Sequence, residues 1–268
     1  RSAAYLRYCI APDQACVTPP RKHAYSMNTA TQIALVTGAN KGLGLEIARQ
    51  LGRLGYTILL GARDEARGAE AAKRLQAEGL QVHAIQIDMH NPETFTQAHD
   101  RIASEFGHLD CLVNNAGFAA DWIYNATNVP IAMLRDTFDA NFFGLVELTQ
   151  ILLPLIAKSP AGRIVNQSSV LGSLTLHCAP DGGLDDAKAV AYNSSKTALN
   201  AFTVHLAHAL KDTPIKVNAA HPGSVKTDAN PEGPMSVEEG ARTAVRLATL
   251  PADGPTGGFF HGDQSLPW

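Results

Sequence analysis

Cysteine is scarce in this chain. The four cysteines among 268 residues, Cys9, Cys16, Cys111 and Cys178, are too few and too scattered for a disulfide framework or a thiolate zinc site. A reduced, cytoplasmic setting is the simpler reading. Charge of one sign is not in excess either. A net charge of −3 gives no reason to expect nucleic acid or an anionic membrane as partner. No continuous apolar run reaches the roughly 20 residues that a membrane helix needs. No G-x-S-x-G occurs, which disfavours a serine hydrolase. His205 and His208 stand at helical spacing, but no carboxylate or cysteine accompanies them at ligand spacing. They read as a solvated helix face, and no metal site is expected.

What is there is an ordinary globular composition, 45% hydrophobic, on a chain long enough for one large α/β domain or two small ones. Residues 1–26 stand apart. They carry Pro12, Pro19 and Pro20, show no apolar periodicity and lack the apolar core of a signal peptide. They read as a disordered extension or upstream sequence, with the native start at Met27. From Thr31 onward short apolar runs alternate with helical stretches: IALVTG, YTILLGAR, VHAIQID, LDCLVNNAG, GRIVNQSS and IKVNAAHPG each precede or follow a helix. Apolar runs of four to eight without alternation suit strands buried on both faces, as a parallel sheet requires. The expected fold is therefore α/β, a doubly wound parallel sheet of the Rossmann type, in one domain over residues 27–268. Ligands of this architecture sit outside the carboxyl ends of the strands, and each motif below falls at such an end.

The first is TGANKGLG, Thr37 to Gly44, between the strand Ile33–Val36 and a helix. Gly38 permits the tight turn, Gly42 lets the backbone approach a pyrophosphate, and Gly44 allows close helix–strand packing. Amides at the helix N-terminus then face the anion. Leu45 stands where a P-loop has lysine, which weakens a nucleoside-triphosphatase reading. At the end of the second strand, Asp64 is spaced to bind a free ribose 2′-hydroxyl, which favours NAD, but it also stands at the expected N-cap of the next helix. Arg63 and Lys41 are two cations suited to a 2′-phosphate, which favours NADP. Their plainer reading is solvated surface charge.

AYNSSK places Tyr192 and Lys196 one helical turn apart. A phenol near pKa 10 is almost fully protonated at neutral pH. A lysine about 5 Å away, at an effective dielectric near 20, favours the phenolate by about 3 kcal/mol. On that reckoning Lys196 lowers the pKa of Tyr192 by roughly two units and makes it a proton donor and acceptor near neutrality. RIVNQSSVLG brings Ser168 and Ser169 to the same edge, NNAG (Asn114–Gly117) closes the fourth strand, and DANFFG places Asn141 near the start of a helix. Ser168 competes with Ser169 for the catalytic role. Helix capping by Asn141 and backbone satisfaction by Asn115 are compatible with functional roles for both.

TGANKGLG, NNAG, NFFG, VNQSS, YNSSK and HPGSVKTD, in this order and approximate spacing, resemble the short-chain dehydrogenase/reductase family, in its carbonyl-reductase-like branch. The resemblance spans roughly residues 31–268. It implies that Tyr192 is the acid/base, that Lys196 lowers its pKa and holds the nicotinamide ribose, that Ser169 binds the substrate oxygen, and that Asn141 orders a water linking Lys196 to solvent. It implies an NADPH/NADP cofactor held by Gly38, Asn40, Lys41, Gly42, Leu43 and Gly44 in the glycine loop and by Arg63 after the second strand. Asp88, ending the third strand in IQID, resembles the adenine contact, with Met89 next to it, and Asn115, Ala116 and Gly117 stand at the close of the fourth strand. Tyr192 and Lys196 would reach the cofactor from their helix, as would Pro222, Gly223, Val225 and Thr227 beyond the sixth strand, Thr227 meeting the nicotinamide amide.

One stretch departs from the family pattern. Ser169 and Tyr192 are 23 residues apart, longer than the usual interval, with LTLHCAPDGGLDDAKAV between them. Relatives resembling carbonyl, menthone and salutaridine reductases carry still longer insertions here and tend to be monomers, so monomer and homo-oligomer both stay open. The expected activity is NADPH-dependent reduction of an aldehyde or ketone. An NAD-linked alcohol dehydrogenase would need Asp64 to prevail over Arg63 and Lys41, and a non-catalytic dinucleotide sensor would more typically lack the tyrosine or lysine. The substrate is read as a small-molecule carbonyl with apolar substituents, because Trp122, Ile123, Tyr124 and Leu171 lie in the segments expected to line the pocket.

Overall fold

The computed structural model describes residues 32–180, 184–185, 187–228 and 230–268; the extension read at residues 1–26 lies outside them. Among the described residues the core is one sheet of eight strands: β1 (Ile33–Val36), β2 (Thr57–Ala62), β3 (Val82–Gln86), β4 (Cys111–Asn114), β5 (Arg163–Gln167), β6 (Lys216–Ala220), β7 (Phe259–His261) and β8 (Gln264–Ser265). Their spatial order is β3-β2-β1-β4-β5-β6-β7-β8. β1 to β7 pair in parallel and β8 closes antiparallel on β7.

The apolar runs follow from burial on both faces. In β1, Ala34 and Val36 join one core cluster and Ile33 and Leu35 the other. The first cluster packs against α1 (Gly42–Arg53) and α2 (Glu65–Ala77) through Ile47, Leu51 and Leu75, and against α8 (Val237–Ala248) through Ala241 and Ala244. The second takes α3 (Glu93–Glu105) through Phe95 and Ile102 and α5 (Gly144–Ile156) through Leu148 and Leu152. Each such leucine or phenylalanine contributes about 1.5–3 kcal/mol by leaving water. The chain reverses its winding between β1 and β4, and a crevice opens there at the carboxyl edge, the expected ligand position for this topology.

Two features of the helices differ from the sequence reading. NFFG does not start a helix. Pro130 precedes α4 (Ile131–Phe138), and a π turn, Asp139–Phe143, joins α4 to α5 in one helical run. By length and composition that run of 26 residues is apolar enough to cross a membrane, yet half of its most apolar window is buried inside the protein. Packing against the sheet accounts for that apolarity. The insertion also has structure: it opens with a short helix, α6 (Leu174–His177), and returns to α7 (Val190–Ala209). Residues 181–183 and 186 of the insertion lie outside the described residues. Leu176 and Leu184 are buried with Val170 and Leu171, and Tyr192 packs on this small cluster.

Candidate active site

The glycine loop leaves β1 and enters α1 through two backbone conformations that favour glycine, φ 63° at Gly38 and φ 55° at Gly42. A Cβ at Gly38 would stand 2.9 Å from the Ala116 Cα, and one at Gly44 would stand 2.5 Å from both Asn115 Nδ2 and Gly38 O. Those two glycines let the ends of β1 and β4 close on each other. Gly42 is different: a Cβ there would meet nothing nearer than Thr227 Cγ2 at 4.0 Å, so this backbone faces open space. Gly38, Lys41, Gly42, Leu43, Gly44, Asn115, Gly117, Thr227 and Asp228 line a groove of about 220 Å³ over the α1 N-terminus. That cradle of open glycine backbone suits a dinucleotide pyrophosphate.

Thr37 and Asn115 hold the cradle's floor. Asn115 Nδ2 donates to Thr37 O at 2.8 Å, while the backbone N–H groups of Asn115 and Ala116 both donate to Thr37 Oγ1, at 3.0 and 2.9 Å. Below them, Asn114 Nδ2 donates to Asn166 Oδ1 at 2.9 Å and Asn166 Nδ2 to Thr203 Oγ1 at 2.9 Å, which ties β4 and β5 to α7.

At the ribose end, Arg63 is exposed just beyond β2, with its carbonyl accepting from Gln86 Nε2. Asp64 is committed elsewhere. It is the N-cap of α2, accepts from Arg67 N–H at 3.0 Å, and has the Arg67 guanidinium 3.8 Å away. Lys41 pairs with Asp228 across the groove at 2.6 Å, both side chains largely exposed. Asp88 lies two residues past the end of β3 rather than in it, and its Oδ1 accepts from His90 N–H. Met89 is buried against Gly144 at the start of α5. Asn40 lies half-buried in the glycine turn.

On the other side of the groove, Pro222, Gly223, Val225 and Thr227 follow β6. Gly223 takes φ 85°, Val225 is buried against Gly240 of α8, and Thr227 exchanges backbone hydrogen bonds with Asn230.

α7 carries Tyr192 and Lys196 on one face, with the Lys196 Nζ 5.6 Å from the Tyr192 ring centroid. Lys196 is buried and donates to Gln167 O at 2.8 Å. Burial pulls its pKa down to about 8. The expectation that Lys196 lowers the pKa of Tyr192 is corrected here. Burial pushes the phenol up to about 12, and the opposing influence is a hydrogen bond with Ser169, not the lysine charge. Tyr192 is half-buried, and the hydration its hydroxyl loses outweighs the Coulomb attraction that the one-turn spacing offers.

The two serines separate cleanly. Ser168 Oγ donates to Asn200 Oδ1 on α7 at 2.6 Å, so it is taken up in holding β5 to α7. Ser169 caps the turn Val170–Gly172 through Leu171 N–H and stands beside Tyr192.

Asn141 sits in the π turn, fully buried. Its amide brackets Phe118 in both directions, accepting from Phe118 N–H at 3.0 Å and donating to Phe118 O at 2.9 Å, and it donates to Ser195 Oγ at 3.1 Å. It caps no helix end. A Cβ at Gly117 would stand 3.0 Å from Asn141 Oδ1 and 3.6 Å from Lys196 Nζ, which brings these three together. His205 and His208 are exposed on α7.

The pocket wall above Tyr192 is Trp122, half exposed, with its ring 5.9 Å from the tyrosine ring. Ile123 is exposed and Leu171 buried.

Four residues of this site carried no usable local signal. Thr37 and Gln167 lie inside their motifs with no spacing signal of their own, although each organises a neighbour. Asp121 is fully buried and reaches the start of α7. His221 is buried after β6, its Nδ1 accepting from Val170 N–H at 3.4 Å; burial and then the neighbouring His261 hold its pKa down to about 3.

The family model for short chain dehydrogenases matches residues 32–235. A short-chain dehydrogenase/reductase 1 from Saponaria officinalis is 35% identical, over 91% of this chain and 99% of its own. The carbonyl reductase (NADPH) 1 of Rattus norvegicus is 37% identical, over 90% of this chain and 100% of its own. The solved structure of salutaridine reductase from Papaver somniferum superposes with a TM-score of 0.73 at 30% identity, over 87% of this chain and 100% of that one. With its sheet order, its glycine cradle and identity of this level over most of its length, the chain belongs to the short-chain dehydrogenase family of oxidoreductases.

Proposed function

We propose that this protein reduces the carbonyl group of a small molecule with apolar substituents to the alcohol, with NADPH as the reductant. The observation that carries the reading is the cluster at the carboxyl edge: the Tyr192 hydroxyl beside Ser169, with the Lys196 ammonium 5.6 Å from the tyrosine ring. Relatives named as NADPH carbonyl reductases, 36–38% identical over most of the chain, support the same chemistry and the same cofactor. The enzyme is NADP-dependent.

When bound, the cofactor supplies the hydride that adds to the carbonyl carbon. The chain's own residues handle the oxygen. Tyr192 donates its hydroxyl proton there, and the Ser169 hydroxyl hydrogen-bonds the same atom as negative charge develops on it. A phenol held at about 12 is in its acid form throughout the neutral range, which suits the reductive direction. Lys196, with one N–H pinned to Gln167 O and its pKa near 8, returns the proton to Tyr192. Because the Asn141 amide is committed to Phe118 and Ser195, its part in the proton relay runs through its backbone in the π turn. Lys41 and Arg63 hold the 2′-phosphate. Asp64, engaged as a helix cap, does not compete for the ribose as the NAD-linked reading requires.

The test is the initial rate of NADPH and NADH oxidation over a panel of aldehydes and ketones, with Tyr192→Phe run alongside. Turnover that prefers NADPH and collapses in the variant is expected. Preference for NADH would overturn the cofactor assignment, and undiminished turnover in the variant would overturn the role of Tyr192.

A further inference from the structure

Asp121 lies in the loop between β4 and α4, and no part of the proposed chemistry uses it. Its carboxylate is fully buried. Oδ2 accepts from the Ala191 N–H at 2.6 Å and Oδ1 from the Tyr192 N–H at 3.4 Å. These are amides of the first turn of α7, where a helix leaves donors without internal partners. The local N-cap residue, Ala189, has no side chain to offer them. The catalytic helix is therefore capped from across the cleft, by a residue 70 positions away in sequence, and an anion is favoured at that end.

The same residue fixes the loop. One anchor is Phe118, gripped in both directions by Asn141. The second is Asp121, and the next residue, Trp122, lies half exposed over the Tyr192 ring at 5.9 Å. The loop that walls the pocket and the helix that carries the acid thus meet at one carboxylate.

We propose that Asp121 is a positioning residue: by capping α7 from the pocket loop it sets the Tyr192 hydroxyl against Ser169 and holds Trp122 as the wall over the reacting carbonyl. This rests on Tyr192 being the proton donor. The structural role alone would be a helix cap, so the test separates the two.

Asp121→Ala is compared with Asp121→Ala/Ala189→Ser, which returns a cap to the helix without joining the loop to it, and with Asp121→Asn. All are assayed well below the lowest Tm of the set. Because the chain has two tryptophans, Trp122 and Trp268, a Trp268→Phe background makes emission report on Trp122 alone. In Asp121→Ala the Trp122 emission is expected to shift to the red and to become more open to acrylamide quenching. There kcat/KM should fall about ten- to hundredfold, with KM rising as well as kcat falling, while the NADPH Kd stays within about twofold. Ala189→Ser should recover thermal stability but not kcat/KM, and Asp121→Asn, which keeps one acceptor, should recover part of kcat/KM.

Recovery of activity together with stability in the double variant would reduce Asp121 to a cap and overturn the proposal. So would an unchanged Trp122 emission in Asp121→Ala. The fluorescence readout needs no turnover, so a failure of the Tyr192 reading, seen as an active Tyr192→Phe, is distinguishable from a failure of this one.

Discussion

The Lys196 ammonium donates to the Gln167 carbonyl at 2.8 Å while standing 5.6 Å from the Tyr192 ring centroid. Burial lowers its pKa from 10.5 to about 8. A depressed lysine binds fewer protons in the native state than in the unfolded chain between those two values, so its contribution to stability is present above 10.5 and is lost as pH falls through about 8. The Tm of wild type relative to Lys196→Met should therefore rise with pH across that window. A difference that is flat with pH would mean Lys196 is not desolvated. In the reductive direction, kcat should fall above about pH 8 as Lys196 loses the proton it returns to Tyr192, and Lys196→Met should lack that limb while being slower throughout.

Ser168 and Ser169 are neighbours with opposite tasks. Ser169→Ala removes the donor at the substrate oxygen and should lower kcat by about 10²–10³ with little change in Tm. Ser168→Ala removes the 2.6 Å bond to Asn200 and leaves a buried acceptor unpaired, a loss of about 1–3 kcal/mol, with turnover retained within a few-fold. Steady-state kinetics beside thermal denaturation of the two variants decides the assignment, and a reversed pattern would give Ser168 the catalytic role.

Much of the fold was legible because parallel strands buried on both faces leave continuous apolar runs. β1, β4 and β5 announce themselves in IALV, CLVN and RIVNQ. The glycine loop and the Tyr192–Lys196 pair were legible because each is local, fixed by spacing within one turn or one helix. What could not be read is long-range or dielectric. Asp121 meets α7 across 70 residues and Lys41 meets Asp228 across 187, and no local period encodes either contact. The direction of the Tyr192 shift needed the surroundings of its hydroxyl, because a one-turn spacing fixes the Coulomb contribution but says nothing about lost hydration. The place of Asn141 inside a continuous helical run was obscured by the π turn, which has no end signals of its own.

Lys41 and Asp228 bridge the mouth of the nucleotide groove at 2.6 Å, both well exposed. A 2′-phosphate brought to Lys41 competes with that carboxylate. Asp228→Asn should tighten NADPH a few-fold and leave NADH unchanged, whereas Lys41→Ala should weaken NADPH about tenfold with the same indifference to NADH. Fluorescence titration with both cofactors at low and high salt checks this, since an exposed pair is screened by salt. Equal effects on NADPH and NADH would show that Lys41 does not read the 2′-phosphate.

Gln167 presents a different kind of tension. Its carbonyl holds Lys196, yet among the described residues its buried side-chain amide has a hydrogen-bond partner for neither Nε2 nor Oε1. An unpaired buried polar group opposes folding by about 1–3 kcal/mol, and a leucine of similar volume carries no such group. On β5 this side chain shares its face with Val165, within the apolar layer against α8, so a branched aliphatic replacement meets the surroundings it needs. Gln167→Leu should raise the Tm of the protein without NADPH by several degrees, given about 2–4 °C per kcal/mol for a chain approaching this size. Scanning calorimetry of the two proteins side by side measures it. A Tm that falls would mean the amide is held by partners that stabilise the fold, and that the carboxyl end of β5 requires a polar side chain there.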